Sequence, residues 1–141
     1  MSEDPFDLER FVRAQDGVYE QALREVRAGA KRGHWMWFVF PQVAGLGYSP
    51  MAQRYAVTGL DEARAYLAHP VLGPRLVACA RALLELPGDD PERVLGSVDA
   101  LKLRSSMTLF GAAAPEDGVF NKVLVKFYDS PDPRTLELLN A

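Results

Sequence analysis

The chain has 141 residues, with 16 basic and 19 acidic side chains for a net charge of −3, and 48% of its residues are apolar. At that length a fold buries roughly 68–70% of the surface that the unfolded chain exposes, enough for a core without disulfides or a structural metal, so residues 1–141 are expected to form one domain. The mild negative charge argues against broad nucleic-acid binding, which needs a basic face; a lone Cys79 excludes an intrachain disulfide, and with only His34 and His69 no metal site is expected.

Prolines punctuate the chain. Asp4-Pro5, Ser49-Pro50, Asp90-Pro91 and Asp132-Pro133 each set a capping side chain before proline, the arrangement that starts a helix without wasting an amide donor. Phe6, Leu8, Phe11 and Val12 suggest a short first helix. After Asp16-Gly17, Tyr19, Ala22, Leu23 and Val26 fall at helical spacing and Gly29 is a natural stop. Glu20 and Arg24 can pair four apart on its exposed face.

The run Trp35-Met36-Trp37-Phe38-Val39-Phe40-Pro41 is apolar on both faces, so periodicity cannot choose between strand and helix. No second strand of similar quality exists to pair with it. A short helix or a buried irregular segment is therefore expected. Thr58 with Asp61 resembles a capping box before a helix carrying Leu60, Ala63 and Leu67. His69-Pro70 ends that helix, and its imidazole suits a helix C-terminus. Leu72, Leu76, Val77, Ala80, Leu83 and Leu84 form the strongest core helix, with Cys79 as a small buried hydrophobe. A turn at Pro87 to Pro91 leads to a helix from about Val98 to Phe110. Phe120, Val123, Leu124 and Phe127 mark the next helix, and Pro133 to Leu139 the last. The expectation is an all-α array of about six to eight short helices in orthogonal packing.

Two segments could carry chemistry. In Lys31-Arg32-Gly33-His34-Trp35-Met36-Trp37-Phe38-Val39-Phe40-Pro41-Gln42 a basic cluster runs into aromatics and then an amide, followed by Gly45, Gly47 and Tyr48. Lys31, Arg32 or His34 could meet a phosphate, Trp35 or Trp37 could stack on a base, and Gln42 could read an edge. Large aromatics are also the usual stuff of cores. In Asp99 to Phe110, Lys102, Ser105 and Ser106 lie within one helical turn, with Thr108 beyond; they suit an anion or a sugar hydroxyl. Mid-helix hydroxyls can equally back-bond to the preceding turn. Asp99 is the nearest carboxylate to act as a base.

The N-terminus, Met1-Ser2-Glu3-Asp4-Pro5, lacks a signal-peptide pattern. The run from Trp35 to Phe40 is far shorter than the ~20 residues that span a bilayer. A cytoplasmic protein, without cofactor and without a membrane partner, is the expectation.

Several blocks together carry a resemblance: Phe11-Val12-x-Ala14-Gln15, Gly33 to Gln42, Gly45-Leu46-Gly47, His69-Pro70-x-Leu72-Gly73-x-Arg75-Leu76, and Asp99-x-x-Lys102-Leu103-x-Ser105-Ser106-Met107-Thr108-Leu109-Phe110. They resemble an uncharacterised family of small bacterial proteins sometimes labelled calpastatin-like, although nothing here reads as a disordered inhibitor repeat. That resemblance implies a mainly helical domain of unassigned role. The order of elements is also similar, more distantly, to small helical proteins that handle NAD- and ADP-ribose-like compounds, some of them N-glycosidases; no catalytic residue carries over from them. Two readings stay open. One is a site for a phosphorylated or nucleotide-like ligand of ADP-ribose or NAD type, extended by N-glycosidic bond hydrolysis. The other is a non-enzymatic interaction module that uses the aromatic segment as a partner surface. They differ in whether the indoles and Lys102 wall a common cavity.

Overall fold

Ten helices account for the secondary structure of the computed structural model, which describes residues 4–140. They are α1 (Glu9–Gln15), α2 (Tyr19–Ala28), α3 (Met36–Val39), α4 (Pro50–Arg54), α5 (Leu60–Ala68), α6 (Leu72–Glu85), α7 (Pro91–Leu95), α8 (Ser97–Ala113), α9 (Val119–Phe127) and α10 (Pro133–Asn140). The all-α class is as expected. The number exceeds the expected six to eight because α3, α4 and α7 are single turns, too short for periodicity to register. Among the described residues there is no strand, only one isolated parallel bridge between Val43 and Val57.

The capping chemistry explains most boundaries. Ser49 Oγ accepts from Ala52 N (3.1 Å), Asp90 from Glu92 N (3.0 Å) and Asp132 from Thr135 N (2.9 Å), each with proline at the first helical position. Asp4-Pro5 differs: it opens a turn, and its carboxylate reaches ahead to Leu8 N and Glu9 N. Burial resists the charge on Asp4 less than the amide of Glu9 favours it, so its pKa is lowered. Gly29 ends α2 in the left-handed conformation, φ 70°.

Three local expectations are corrected. The partner of Thr58 is Glu62, not Asp61: Glu62 Oε1 accepts from Thr58 N (2.9 Å) and Oγ1 (3.0 Å), while Asp61 stays exposed. Glycine at position 59 takes the cap position, which shifts the box by one residue. His69 does end α5, as its C-cap, but its imidazole serves the start of α6 and not the end of α5: its Nδ1 accepts from Val71 N (3.1 Å) and Leu72 N (3.2 Å). The Glu20–Arg24 ion pair does not form among the described residues; the carboxylate of α2 that is used is Glu25.

Helix α8 lies at the centre and packs on α5, α7, α9 and α10. Its second half, Ser105 to Gly111, is buried on every side, which is why the helix has no clear polar stripe. Its first turns are different, with Val98 64% and Leu101 66% exposed. Charged side chains tie the elements together at their ends. Lys126 of α9 donates to the carbonyls of Leu83 (2.9 Å) and Leu84 (3.0 Å), a cation closing the orphan C-terminus of α6. Arg10 of α1 meets Glu62 at 2.8 Å and the carbonyls of Arg54 and Ala56, which locks the α4–α5 connection against α1. Among the described residues no helix is long and apolar enough to cross a membrane.

Candidate functional site

The site begins with the way α2 hands over to the aromatic segment. Glu25 Oε1 accepts three hydrogen bonds, from Arg32 N (2.7 Å), Gly33 N (2.9 Å) and Trp35 Nε1 (2.9 Å), and Gln21 supports the other oxygen at 2.7 Å. Partial burial alone would raise the pKa of Glu25. The amides of Gly33 and Arg32, with Gln21 and Trp35, outweigh it and hold the group at about 2. Gly33 is needed there, because a Cβ would lie 2.9 Å from Trp35 Cδ1. The indole of Trp35 is thus folded back into the core, fully buried, against Phe40.

The next indole goes the other way. Trp37 is half-buried on the turn of α3 and faces α8. After it the chain runs through Gln42, whose carbonyl accepts from Val57 N (2.8 Å), while Ala44 N donates to Val57 O (2.8 Å). These two bonds hold residues 42–57 as a loop beside the first turns of α8. Its glycines are fitted to their places. Gly45 has φ 102° and sits under Leu138 of α10, and a Cβ on Gly47 would lie 2.9 Å from Ala52 Cβ.

Between this loop and α8 lies a cleft of about 290 Å³. Trp37, Gln42, Tyr55, Lys102 and Ser105 supply its polar and aromatic walls, and Val43, Leu46, Ala52, Val98 and Leu101 its apolar ones. Val98 and Leu101 form one lip. On the other side Tyr48, 82% exposed, and Met51 flank the lining residues Gly47 and Ala52. The two segments singled out by the sequence therefore meet around one cavity.

Its charge comes from three side chains. Lys102 Nζ stands 3.8 Å from the centroid of Trp37, a cation over an aromatic face. Asp99 bridges Lys102 (3.2 Å) and Lys31 (2.7 Å). Lys31 also lies 5.1 Å from the Trp35 ring. Burial works against the charge on Asp99, but the two lysines, Lys31 foremost, prevail and its pKa is lowered. Two cations and one anion leave the cluster with one net positive charge. An ionised carboxylate engaged by two ammonium groups is suited to holding them in place and poorly suited to taking a proton from water.

The candidate residues separate cleanly by place. Trp37, Gln42, Lys102 and Ser105 line the cleft. Ser105 donates to Leu101 O (3.2 Å), so its oxygen can still accept. Lys31 and Asp99 stand behind Lys102, and Tyr48 lies beside the lip. His34 is exposed and does not line the cleft. Trp35 is core and not a stacking platform, for the reason given above. Ser106 lies one position round the helix from Ser105, and that rotation carries it into the core; its fully buried Oγ has no partner among the described residues. Thr108 is also taken up by the fold: it donates to Arg104 O (2.8 Å) and accepts from Asp132 N (2.8 Å), which docks the start of α10. Cys79 is buried, and burial pushes its thiol up to about 12, far from a reactive thiolate. Among the described residues no group of three or more His, Cys, Asp and Glu side chains is placed to hold a metal ion.

Tyr55 is the described lining residue with a polar side-chain group that sequence reasoning missed. Its only sequence signal is an aromatic three positions after Ala52 at the end of a one-turn helix, and nothing in that pattern says which way the ring faces.

A family model described as "Protein of unknown function (DUF1810)" matches residues 5–139, so the chain belongs to that family. Among solved structures, the chain is similar to a conserved hypothetical protein, Rv1873, from Mycobacterium tuberculosis: 52% identity, TM-score 0.95, covering 98% of this chain and 99% of that one. No curated protein matches.

Proposed function

We propose that this member of the DUF1810 family binds a phosphorylated, nucleotide-like small molecule in the cleft between α8 and residues 37–57. One observation carries the reading: Lys102 lies over the face of Trp37 in the wall of a cavity that Gln42 and Ser105 also line. A cation, an aromatic face and convergent neutral hydrogen-bonding groups in a mostly apolar pocket are what such a ligand needs. The volume is at the small end of ligand sites, which run from about 300 Å³. The exposed lips let a longer ligand extend beyond it.

N-glycosidic bond hydrolysis extends this reading and draws on the resemblance to proteins that handle NAD- and ADP-ribose-like compounds. It needs a base to activate water. The described lining residues include no carboxylate, and Asp99 is committed to two lysines. Binding is therefore the function the geometry supports best. A second reading, a protein-interaction module, is favoured by the apolar lips of Val98, Leu101, Tyr48 and Met51.

A thermal-shift panel of nucleoside monophosphates, ADP-ribose, NAD and sugar phosphates separates the two. A bound ligand at 100 times its Kd adds about 2.7 kcal/mol of stability. Wild type is expected to shift with at least one of these anions and Lys102→Ala to lose the shift. No shift with any of them would sink the ligand reading and leave the lips as the functional surface.

A further inference from the structure

The cleft has a floor as well as a charged wall, and the floor is neutral. Tyr55 is buried to 8% exposure, its ring tilted against Phe11 (5.8 Å) and Phe38 (5.5 Å) of the core. Three other inward-turned tyrosines, Tyr19, Tyr66 and Tyr128, each donate their hydroxyl to a main-chain carbonyl. Tyr55 donates to nothing among the described residues. Yet its hydroxyl is not sealed off, since Ser106 Oγ is the one buried side-chain atom there that is both enclosed and unpartnered. The space that Tyr55 lines is the cleft. Gln42 lines it too, and its side-chain amide, a donor and an acceptor, also has no protein partner among the described residues; only its main chain is engaged, with Val57.

A phenol held in a rigid aromatic cluster, with its hydroxyl open to the cleft and without a protein partner, is left to meet water or a ligand. A tyrosine hydroxyl and a glutamine amide beside an indole present a mixed pattern of donors and acceptors next to an aromatic face. That pattern fits the edge of a neutral heteroaromatic ring and offers nothing specific to a phosphate, which Lys102 serves at the wall.

We propose that Tyr55, with Gln42, is the specificity-determining floor of this cleft, and that its ligand class is a phosphate ester carrying a nucleobase-like ring, the ring edge meeting Tyr55 and Gln42 and the phosphate meeting Lys102. This narrowing rests on the cleft being the ligand site.

Titration calorimetry of the full chain with AMP, GMP, CMP and UMP, against ribose 5-phosphate and inorganic phosphate, tests it. At least one base-bearing ligand is expected to bind tenfold or more tightly than ribose 5-phosphate. Tyr55→Phe keeps the ring packing and loses only the hydroxyl. It should weaken the base-bearing ligand roughly fivefold to tenfold, the size of one hydrogen bond. It should leave ribose 5-phosphate binding and the Tm unchanged. Lys102→Ala should weaken both kinds of ligand. If ribose 5-phosphate binds as well as every nucleotide, or if Tyr55→Phe binds the nucleotide like wild type, the floor assignment is overturned while the ligand site stands. If no phosphate ester binds wild type, both readings fall together.

Discussion

Single atoms decide which of two neighbouring residues takes part in the site. Ser105 and Ser106 are adjacent, and both were candidates because they follow Lys102 within one turn. The helical rotation between them sends Ser105 to the cleft and Ser106 into the core. There its hydroxyl has surrendered water and found no partner, a loss of about 1–3 kcal/mol. Replacing it by alanine removes the penalty at little cost in packing. Ser106→Ala is expected to raise stability by about 1 kcal/mol, an increase of roughly 3 °C in Tm. It should leave ligand binding unchanged. A fall in Tm of similar size would mean that the hydroxyl has a partner after all. The same contrast separates the two indoles. Trp35 and Trp37 are chemically equivalent in the sequence, but only the N–H of Trp35 lies within reach of Glu25.

At the scale of elements, close approach matters more than helix propensity. Helices α5 and α6 meet at Gly73, where a Cβ would lie 2.1 Å from the Leu67 carbonyl oxygen. That atom is backbone and cannot swing aside, so alanine would force the helices apart. Gly73→Ala is expected to cost about 2–3 kcal/mol, read as a lower urea midpoint. An unchanged midpoint would show that the junction can give. Helix lengths were legible where the apolar period ran for two turns or more, as in α2, α6 and α9. The single-turn elements were visible only through their caps, Ser49-Pro50 and Asp90-Pro91. For α3 neither period nor cap existed in the sequence. Its helical turn is set by the burial of Trp35, Met36, Phe38 and Val39 against the rest of the core.

For the whole molecule, the cleft wall depends on a carboxylate outside the described lining of the cleft. Glu25 fixes residues 32–35, and through them the places of Lys31 and Trp37. Its pKa falls from the ordinary 4.5 to about 2 on folding. A depressed carboxylate contributes stability above its unfolded pKa and loses it as pH falls through the folded one. Global stability is therefore expected to decline between about pH 4.5 and pH 2. Glu25→Gln should cost about 1–2 kcal/mol at neutral pH and make that acid decline shallower. It should not abolish it, because Asp99, also lowered, acts in the same direction. Circular-dichroism melts across this pH range check both points. An identical acid profile for the variant would show that Glu25 is not the group responsible.

The sequence by itself determined the helical class, the positions of most helix starts and stops, and the two segments that line the candidate site. Each of these is local: a cap, a period of 3.6, or a cluster of residue types within a dozen positions. Whether those segments meet was decided only by the tertiary structure. The meeting requires α8 to pack beside a loop more than forty residues earlier, and no local signal encodes that pairing. For the same reason the sequence offered His34, Trp35, Ser106 and Thr108 beside Trp37, Gln42, Lys102 and Ser105 on equal terms. Composition names the candidate residues; the direction each side chain takes from its element is fixed by what the rest of the chain leaves open.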